Sequence, residues 1–342
     1  MPHTVLVTGG TGYVAGWVIV RLLEQGYGVR TTVRSPAKEA AVRTAVATVT
    51  PPGDALTFAT ADLLSDAGWD AAMAGIDYVL HVASPMDGGA GDGASAGADL
   101  TTPAREGTLR VLRAAVKAGV KRVVFTSSCA ACAAPLQGPD SFNDETVWTD
   151  PNDPANNAYR RSKILAERAA WDFMASEGGA TEFVTVLPSA IFGPTLNPAQ
   201  RGSVQVINAI LRGKMPGLFK TGFCVVDVRD LADLHIKAMT APEAVGQRFI
   251  GTGEFMWVED VATTLRTAFG ARAPKIPTRR LPNWLVRLAA RFMPPLRALT
   301  PTLGRKHVFN SAKSERVLGW KSRPAKETII ACAESLLAAD ST

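Results

Sequence analysis

Apolar residues in the first half of the chain alternate between two rhythms. Short runs rich in β-branched residues occupy Thr4–Thr8, Gly28–Arg34, Leu56–Ala61, Tyr78–Ala83 and Arg122–Ser127. Between them lie longer stretches with helical spacing: Gly16–Gln25, with Val18, Ile19, Leu22 and Leu23 on one face, then Lys38–Val49 and Thr101–Ala118. Strands separated by helices in this order predict right-handed βαβ units and an α/β fold, a Rossmann-type doubly wound parallel sheet covered on both faces. After about Phe183 the rhythm loosens. Val184–Leu187 predicts a sixth strand ending in Pro188, and helices are expected over Ser203–Arg212, Val258–Phe269 and Asn283–Met293. We therefore expect a nucleotide-binding core over residues 1–183 and a smaller C-terminal substrate lobe over 184–342, partly interleaved with the sheet. The low-complexity stretch Gly88–Gly97 (GGAGDGASAG) predicts a mobile loop at the carboxyl edge of the sheet.

Composition changes the picture little. The 342 residues are 46% hydrophobic and 20% charged, with a formal net charge of +6, an ordinary globular balance. Basic residues collect late (Arg279, Arg280, Arg287, Arg291, Arg297, Arg305, Lys306), but no nucleic-acid-binding motif accompanies them, and no nucleic-acid partner is expected. The stretch Leu281–Leu299 is amphipathic and basic, a pattern that suits a membrane surface or a substrate tail but more often packs over a pocket or core. No apolar run is long enough to span a bilayer, so no membrane partner is expected. Four cysteines make no disulfide framework and Met1–Thr8 has no charged leader, which favours the cytoplasm. Cys129-Ala130-Ala131-Cys132 lacks a second ligand pair and the histidines lack metal spacing, so no metal is expected. His81, inside a strand, reads as a satisfied core histidine, and Asp227, Arg229 and Asp230 as a structural ion-pair cluster in a loop.

The first chemical signal is Val7-Thr8-Gly9-Gly10-Thr11-Gly12-Tyr13-Val14-Ala15-Gly16, which follows a strand and opens a helix. Glycines at 9 and 12, with Ala15 in the third place, fit a dinucleotide fingerprint. The tight turn needs residues without a bulky side chain, and a pyrophosphate must reach N–H groups at the helix start. At the end of the second strand an NAD enzyme usually offers a carboxylate to the ribose. This chain offers Arg34, followed by Lys38, two cations suited to a 2′-phosphate, so NADP(H) is favoured. Asp62 is placed to face the adenine, and Val82, Ala83 and Ser84 to line the nicotinamide ribose.

The second signal is Tyr159-Arg160-Arg161-Ser162-Lys163, preceded by Thr126-Ser127-Ser128 at the end of the fifth strand. The helical periodicity of Tyr159–Phe173 puts Tyr159 and Lys163 on one face. A carbonyl being reduced needs a proton donor beside its oxygen. A free phenol, with a pKa of about 10, is a poor match to neutral pH. The Lys163 ammonium is expected to lower it, while Ser128 donates a second bond to the substrate oxygen.

TGGTGYVAG, VRSP, HVASP, FTSS, YRRSK and LPSAIFGP together resemble an extended short-chain dehydrogenase/reductase. Within that group the chain is similar to the dihydroflavonol reductase branch, which includes cinnamoyl-CoA reductases and microbial aldehyde and ketone reductases. Val226–Ala232 and Ser314–Trp320 also match family landmarks. The resemblance implies a Ser128–Tyr159–Lys163 triad. It also implies cofactor contacts at Gly9, Gly12, Tyr13, Val14, Arg34, Lys38, Asp62, Leu63, Val82, Ala83 and Ser84, with Pro188 and Ile191 near the nicotinamide. The implied partner is a small carbonyl or alcohol, handled by a monomer or homodimer. Plant flavonoid reductases carry an amide a few residues past the catalytic serine, where this chain has Cys129–Ala133. Arg160 stands where sugar-nucleotide epimerases often have glycine, and the acid pair of a dehydratase is absent. The last two departures favour simple redox chemistry. The alternatives are an NAD-dependent sugar-nucleotide epimerase or a hydroxysteroid dehydrogenase on the same fold, and a non-catalytic NADP(H) sensor, against which the Tyr159–Lys163 pair speaks.

Overall fold

The computed structural model describes residues 3–85, 100–197, 202–297 and 299–339. The stretch Gly88–Gly97, expected to form a mobile loop, lies outside them. The first half alternates as its hydrophobic pattern requires: β1 (Thr4–Val7), α1 (Tyr13–Glu24), β2 (Gly28–Val33), α2 (Glu39–Ala47), β3 (Leu56–Thr60), α3 (Trp69–Met73), β4 (Tyr78–His81), α4 (Thr101–Lys117) and β5 (Arg122–Thr126). Then come β6 (Ser141–Asn143), α5 (Ala158–Glu177), β7 (Glu182–Pro188), β8 (Ala190–Phe192), α6 (Val204–Leu211), β9 (Gly222–Asp227), α7 (Val228–Thr240) and β10 (Arg248–Gly251). The chain closes with β11 (Phe255–Trp257), α8 (Val258–Phe269), α9 (Asn283–Ala289), α10 (Pro294–Arg297), β12 (His307–Phe309), α11 (Ala312–Leu318) and α12 (Ala325–Ala338).

Seven strands form one parallel sheet in the order β10-β7-β5-β4-β1-β2-β3. The chain runs outward from β1 in both directions, so the order reverses between β1 and β4, where a crevice opens at the carboxyl ends. Alternation sorts each strand's residues onto two faces. Leu6, Val79, Val123, Phe125 and Phe183 pack with α3, α4 and α5. Val5, Val7, Leu80, Val124, Val184 and Val186 pack with α1, α2 and α7. Strand β7 runs through residues 183 and 184, and β10 adds the far edge. The C-terminal half adds a three-stranded sheet β11-β9-β8, the strand β12 that pairs with β6, and helices α6 and α8 to α12.

The loop expected around Asp227 is instead the start of a helix. The Asp227 carboxylate accepts from the Arg229 N–H at 2.9 Å and caps α7. Charged residues in the first turn mask an apolar stripe through Leu231, Leu234, Ala238 and Met239 that the sheet buries. The ion-pair reading itself holds: Arg229 meets Asp227 at 2.8 Å, and Arg323 meets Asp230 at 2.6 Å. The landmark Ser314–Trp320 closes the same corner, with Ser314 donating to the Ile250 carbonyl and Trp320 Nε1 to that of Asp230. The expected helix Asn283–Met293 ends at Ala289, short of the prolines that start α10. Asp227 is fully buried, so Asp227→Ala strands Arg229 and uncaps α7. We expect a loss of roughly 3–5 kcal/mol in urea unfolding. A change within about 0.5 kcal/mol would refute this account of the corner.

Candidate active site

The glycine loop is built around contacts that exclude side chains. Gly9 has φ +75°, and a methyl group there would come within 2.9 Å of the Ala83 Cβ. Thr8 Oγ1 accepts from the Ala83 N–H at 3.0 Å, and the Gly9 N–H donates to Thr32 Oγ1 at 2.9 Å. These bonds knit the ends of β1, β2 and β4 into one rim. The first intrahelical bond of α1 runs from the Gly16 N–H to the Gly12 carbonyl. The N–H groups of Tyr13, Val14 and Ala15 therefore have no intrahelical acceptor and form an anion-attracting helix start. The Tyr13 hydroxyl points elsewhere, donating to the Gly193 carbonyl at 2.8 Å. Main-chain atoms are what it has left to offer a nucleotide.

Arg34 and Lys38 stand exposed just past β2, with no acidic partner among the described residues. Asp62 is half-buried past the adjacent β3, its carboxylate accepting from the Leu64 N–H at 3.0 Å. Leu63 is half-buried against Gly107, and Val82, Ala83 and Ser84 are half-buried past β4. Pro188 closes β7 and is buried, while Ile191 lies half-buried on β8, paired with Val226. A side-chain-free loop, open N–H groups and two unpaired cations at one sheet edge fit a dinucleotide with an extra phosphate.

Ser128 follows β5, its oxygen accepting from the Ala130 N–H at 3.1 Å. Asn157 caps α5 by accepting from the Arg160 N–H at 2.9 Å, which starts the helix one residue ahead of Tyr159. Tyr159 is half-buried, and burial pushes its phenol pKa up, against the pull of the Ser128 hydroxyl and the Arg160 guanidinium beside it. The expected cation was Lys163; the one acting on the phenol here is Arg160. Lys163 is buried, and desolvation brings its pKa down to about 8, with the Glu167 carboxylate resisting. The pairing predicted from spacing is thus present on one helix face, but its electrostatics differ from the simple ammonium–phenol picture.

Three features escaped the sequence reading. Glu167, one turn beyond Lys163, is fully buried and accepts from Ser127 Oγ at 2.6 Å, Thr185 Oγ1 at 3.0 Å and Arg248 Nε at 2.9 Å. Arg248 also donates to the carbonyls of Ala131, Glu145 and Val147 and lies 3.7 Å from the Trp148 ring centre. The network bolts α5 to β5, β7 and β10. A charged residue on the buried face of a helix was its one visible signal. His81 is only half satisfied: Nδ1 meets Thr8 Oγ1 at 2.9 Å, but buried Nε2 has no partner among the described residues. Burial and the nearby Lys163 charge bring its pKa down to about 3, so the ring is neutral. Arg160 likewise keeps a buried Nη2 without a partner.

The cysteine pair is core, as expected from its small neighbours. Cys129 and Cys132 pack with Ile164, Leu187 and Ile250, and burial drives the Cys129 thiol pKa up. Among the described residues no cluster of metal-ligating side chains occurs, and no helix is long and apolar enough to cross a membrane.

Residues 5–250 match the model of the NAD dependent epimerase/dehydratase family. The chain belongs to that family. It is 34% identical over 301 residues to the ketoreductase azaE of Aspergillus niger, covering 82% of this chain and 86% of the relative. It is 35% identical to cinnamoyl-CoA reductase 1 of rice (Oryza sativa subsp. japonica) over 268 residues, 78% of this chain and 75% of that protein. The structure superposes on yeast methylglyoxal/isovaleraldehyde reductase Gre2 complexed with NADPH with a TM-score of 0.81 at 26% identity, covering 99% of each chain. These relatives place the family member among the extended short-chain dehydrogenase/reductases that its motifs resemble. A likeness to the UDP-glucose 4-epimerase of Thermotoga maritima, 20% identical with a TM-score of 0.75 over 98% of this chain and 99% of that one, shows the shared fold.

The buried Glu167–Arg248 pair gives a double-variant test. Glu167→Leu leaves a guanidinium uncompensated and should cost roughly 3–5 kcal/mol in thermal or urea unfolding. Pairing it with Arg248→Met should recover part of that loss, and no recovery would show that the two side chains are not coupled.

Proposed function

We propose that this protein is an NADP(H)-dependent carbonyl reductase that interconverts a small ketone or aldehyde and its alcohol. What supports the reading is the Tyr159 phenol beside the Ser128 hydroxyl past the carboxyl end of β5, with Lys163 one turn further along α5, while the glycine loop, Arg34 and Lys38 follow the carboxyl ends of β1 and β2 in the same sheet. Its ketoreductase and cinnamoyl-CoA reductase relatives, and its structural likeness to an NADPH-bound aldehyde reductase, support the same class.

The cofactor would be held by the N–H groups at the start of α1, by Ala83 and its neighbours along the rim, and by Arg34 and Lys38 at the 2′-phosphate. When bound there it supplies the hydride. Tyr159 delivers its phenolic proton to the carbonyl oxygen, which becomes the hydroxyl of the product. A phenol held above its ordinary pKa is fully protonated at neutral pH, the state a proton donor needs. Ser128, beside it, donates to the same oxygen as negative charge builds there. Arg160 holds a positive charge beside the phenolate left behind, and Lys163, one turn further along the helix, adds a second while its ammonium persists. In the alcohol-oxidising direction the same phenol must first lose its proton, so that direction gains from alkaline pH. The C-terminal half, which follows β7 through β8 and α6, would supply the wall against which the substrate sits.

Three outcomes test this. Tyr159→Phe should lower kcat/KM for carbonyl reduction by about 10²- to 10⁴-fold with NADPH affinity unchanged in a fluorescence titration. A near-normal rate would remove Tyr159 as the proton donor. Arg34→Glu should weaken NADPH binding about tenfold or more while sparing NADH; equal losses on both would remove the 2′-phosphate role. Because Lys163 has a pKa near 8, its ammonium is present below that pH and lost above it. The kcat/KM for reduction should therefore decline as pH rises through about 8, and a profile flat to pH 10 would contradict the role given to Lys163.

A further inference from the structure

The segment from Val261 to Ser314 carries eleven lysines and arginines and no aspartate or glutamate. Part of it packs as the amphipathic pattern predicts: Val286 of α9 is buried with Phe219 and Leu303, and Leu281 and Leu299 lie against them. The opposite side of the same helix is apolar as well. Trp284 is 66% exposed and Leu288 45% exposed, and the turn that follows presents Phe292 at 80% and Met293 at 50%. Trp284, Leu288 and Phe292 follow one another every fourth residue and so share a stripe, with the Phe292 N–H still bonded to the Ala289 carbonyl. Arg297 staples that turn by donating to the carbonyls of Ala290 and Arg291 at 3.2 and 3.0 Å. The apolar tip is thus held out by the fold. Arg287 and Arg291 flank it, both exposed and neither with an acidic partner among the described residues.

We propose that this tip is an interfacial anchor that docks the protein on an anionic lipid surface. Four large apolar side chains on one protrusion are costly to leave in water and are the means by which peripheral proteins enter the headgroup region. A tryptophan ring suits that boundary, where one edge meets hydrocarbon and the N–H meets water. Arginines beside the stripe sit at the height of lipid phosphates, and each cation near such a surface raises affinity about fivefold. A second copy of the chain fits poorly, since an isologous contact on the stripe would press Arg287 and Arg291 against their own copies. The proposal differs from the packing role expected from sequence, because Trp284 and Phe292 stay mostly exposed. It does not depend on the reaction proposed above.

The test is co-sedimentation of the full chain with vesicles of phosphatidylcholine alone and of phosphatidylcholine mixed with phosphatidylglycerol. We expect binding to the mixed vesicles, weakened by high salt, and little to the neutral ones. The double variants Trp284→Ser with Phe292→Ser, and Arg287→Gln with Arg291→Gln, should each lower partitioning at least about tenfold. Both alter exposed side chains, so the melting temperature and NADPH affinity should stay as in the parent protein. Failure to bind mixed vesicles would overturn the proposal. So would equal binding to neutral vesicles, or concentration-dependent self-association in gel filtration that the Trp284 and Phe292 changes abolish.

Discussion

One buried carboxylate holds the working edge of this molecule together. Glu167 has no contact with water, and its two oxygens accept from Ser127 just past β5, Thr185 on β7 and Arg248 on β10, as well as from Trp171 on its own helix. Such a pair need not add net stability, because desolvating both charges offsets their attraction. Its consequence is position. Arg248, Thr185, Phe125 and His81 are successive register partners across β10, β7, β5 and β4, so the row that faces α5 is polar at both ends. The helix can seat on that row with Glu167 over Arg248 and Thr185 and in no neighbouring register without stranding a charge. Once it is seated, Lys163 and Tyr159 lie one and two turns nearer its start, with the Tyr159 phenol beside the Ser128 hydroxyl.

The electrostatics of the edge follow from that seating. Burial raises the phenol of Tyr159 and lowers the ammonium of Lys163, each toward its neutral form. The first shift keeps the phenol protonated at neutral pH, and the second brings the ammonium's titration down to mildly alkaline pH. Arg160 opposes the first and Glu167 the second, so neither group is carried as far as burial alone would take it. The neutral His81 ring, anchored to Thr8 and within the field of Lys163, extends this polar layer to the strand that bears the glycine loop.

Much of this was legible in the sequence. Strands β1 to β5 and helices α1, α2 and α4 follow directly from β-branched runs and helical apolar spacing, and their ends fall within a few residues of expectation because glycines, prolines and caps punctuate them. The five-residue α3 is too short to show a helical period and is not among the expected helices. The glycine loop, Arg34, Lys38 and the Tyr159–Lys163 pair each stand in a short motif whose chemistry is local. What stayed hidden depends on distant parts of the chain. Glu167 and Arg248 are 81 residues apart, and no local pattern links them. The helix after Asp227 was obscured because its charged first turn pairs with Arg323, near the far end of the chain. The apolar outer stripe of α9 has the periodicity of a buried face, and periodicity alone does not say which of two apolar faces the body covers.

The central claim is that hydride and proton are both delivered to one carbonyl at the edge where Tyr159 and the glycine loop meet. The most direct measurement uses NADPH deuterated at the transferable ring position, a panel of ketones and aldehydes, and mass spectrometry of the products. The account predicts an alcohol carrying one deuterium on the former carbonyl carbon, of a single configuration for each prochiral ketone. Products without label, or protein that purifies with tightly held NAD and inverts a sugar nucleotide without consuming NADPH, would contradict it.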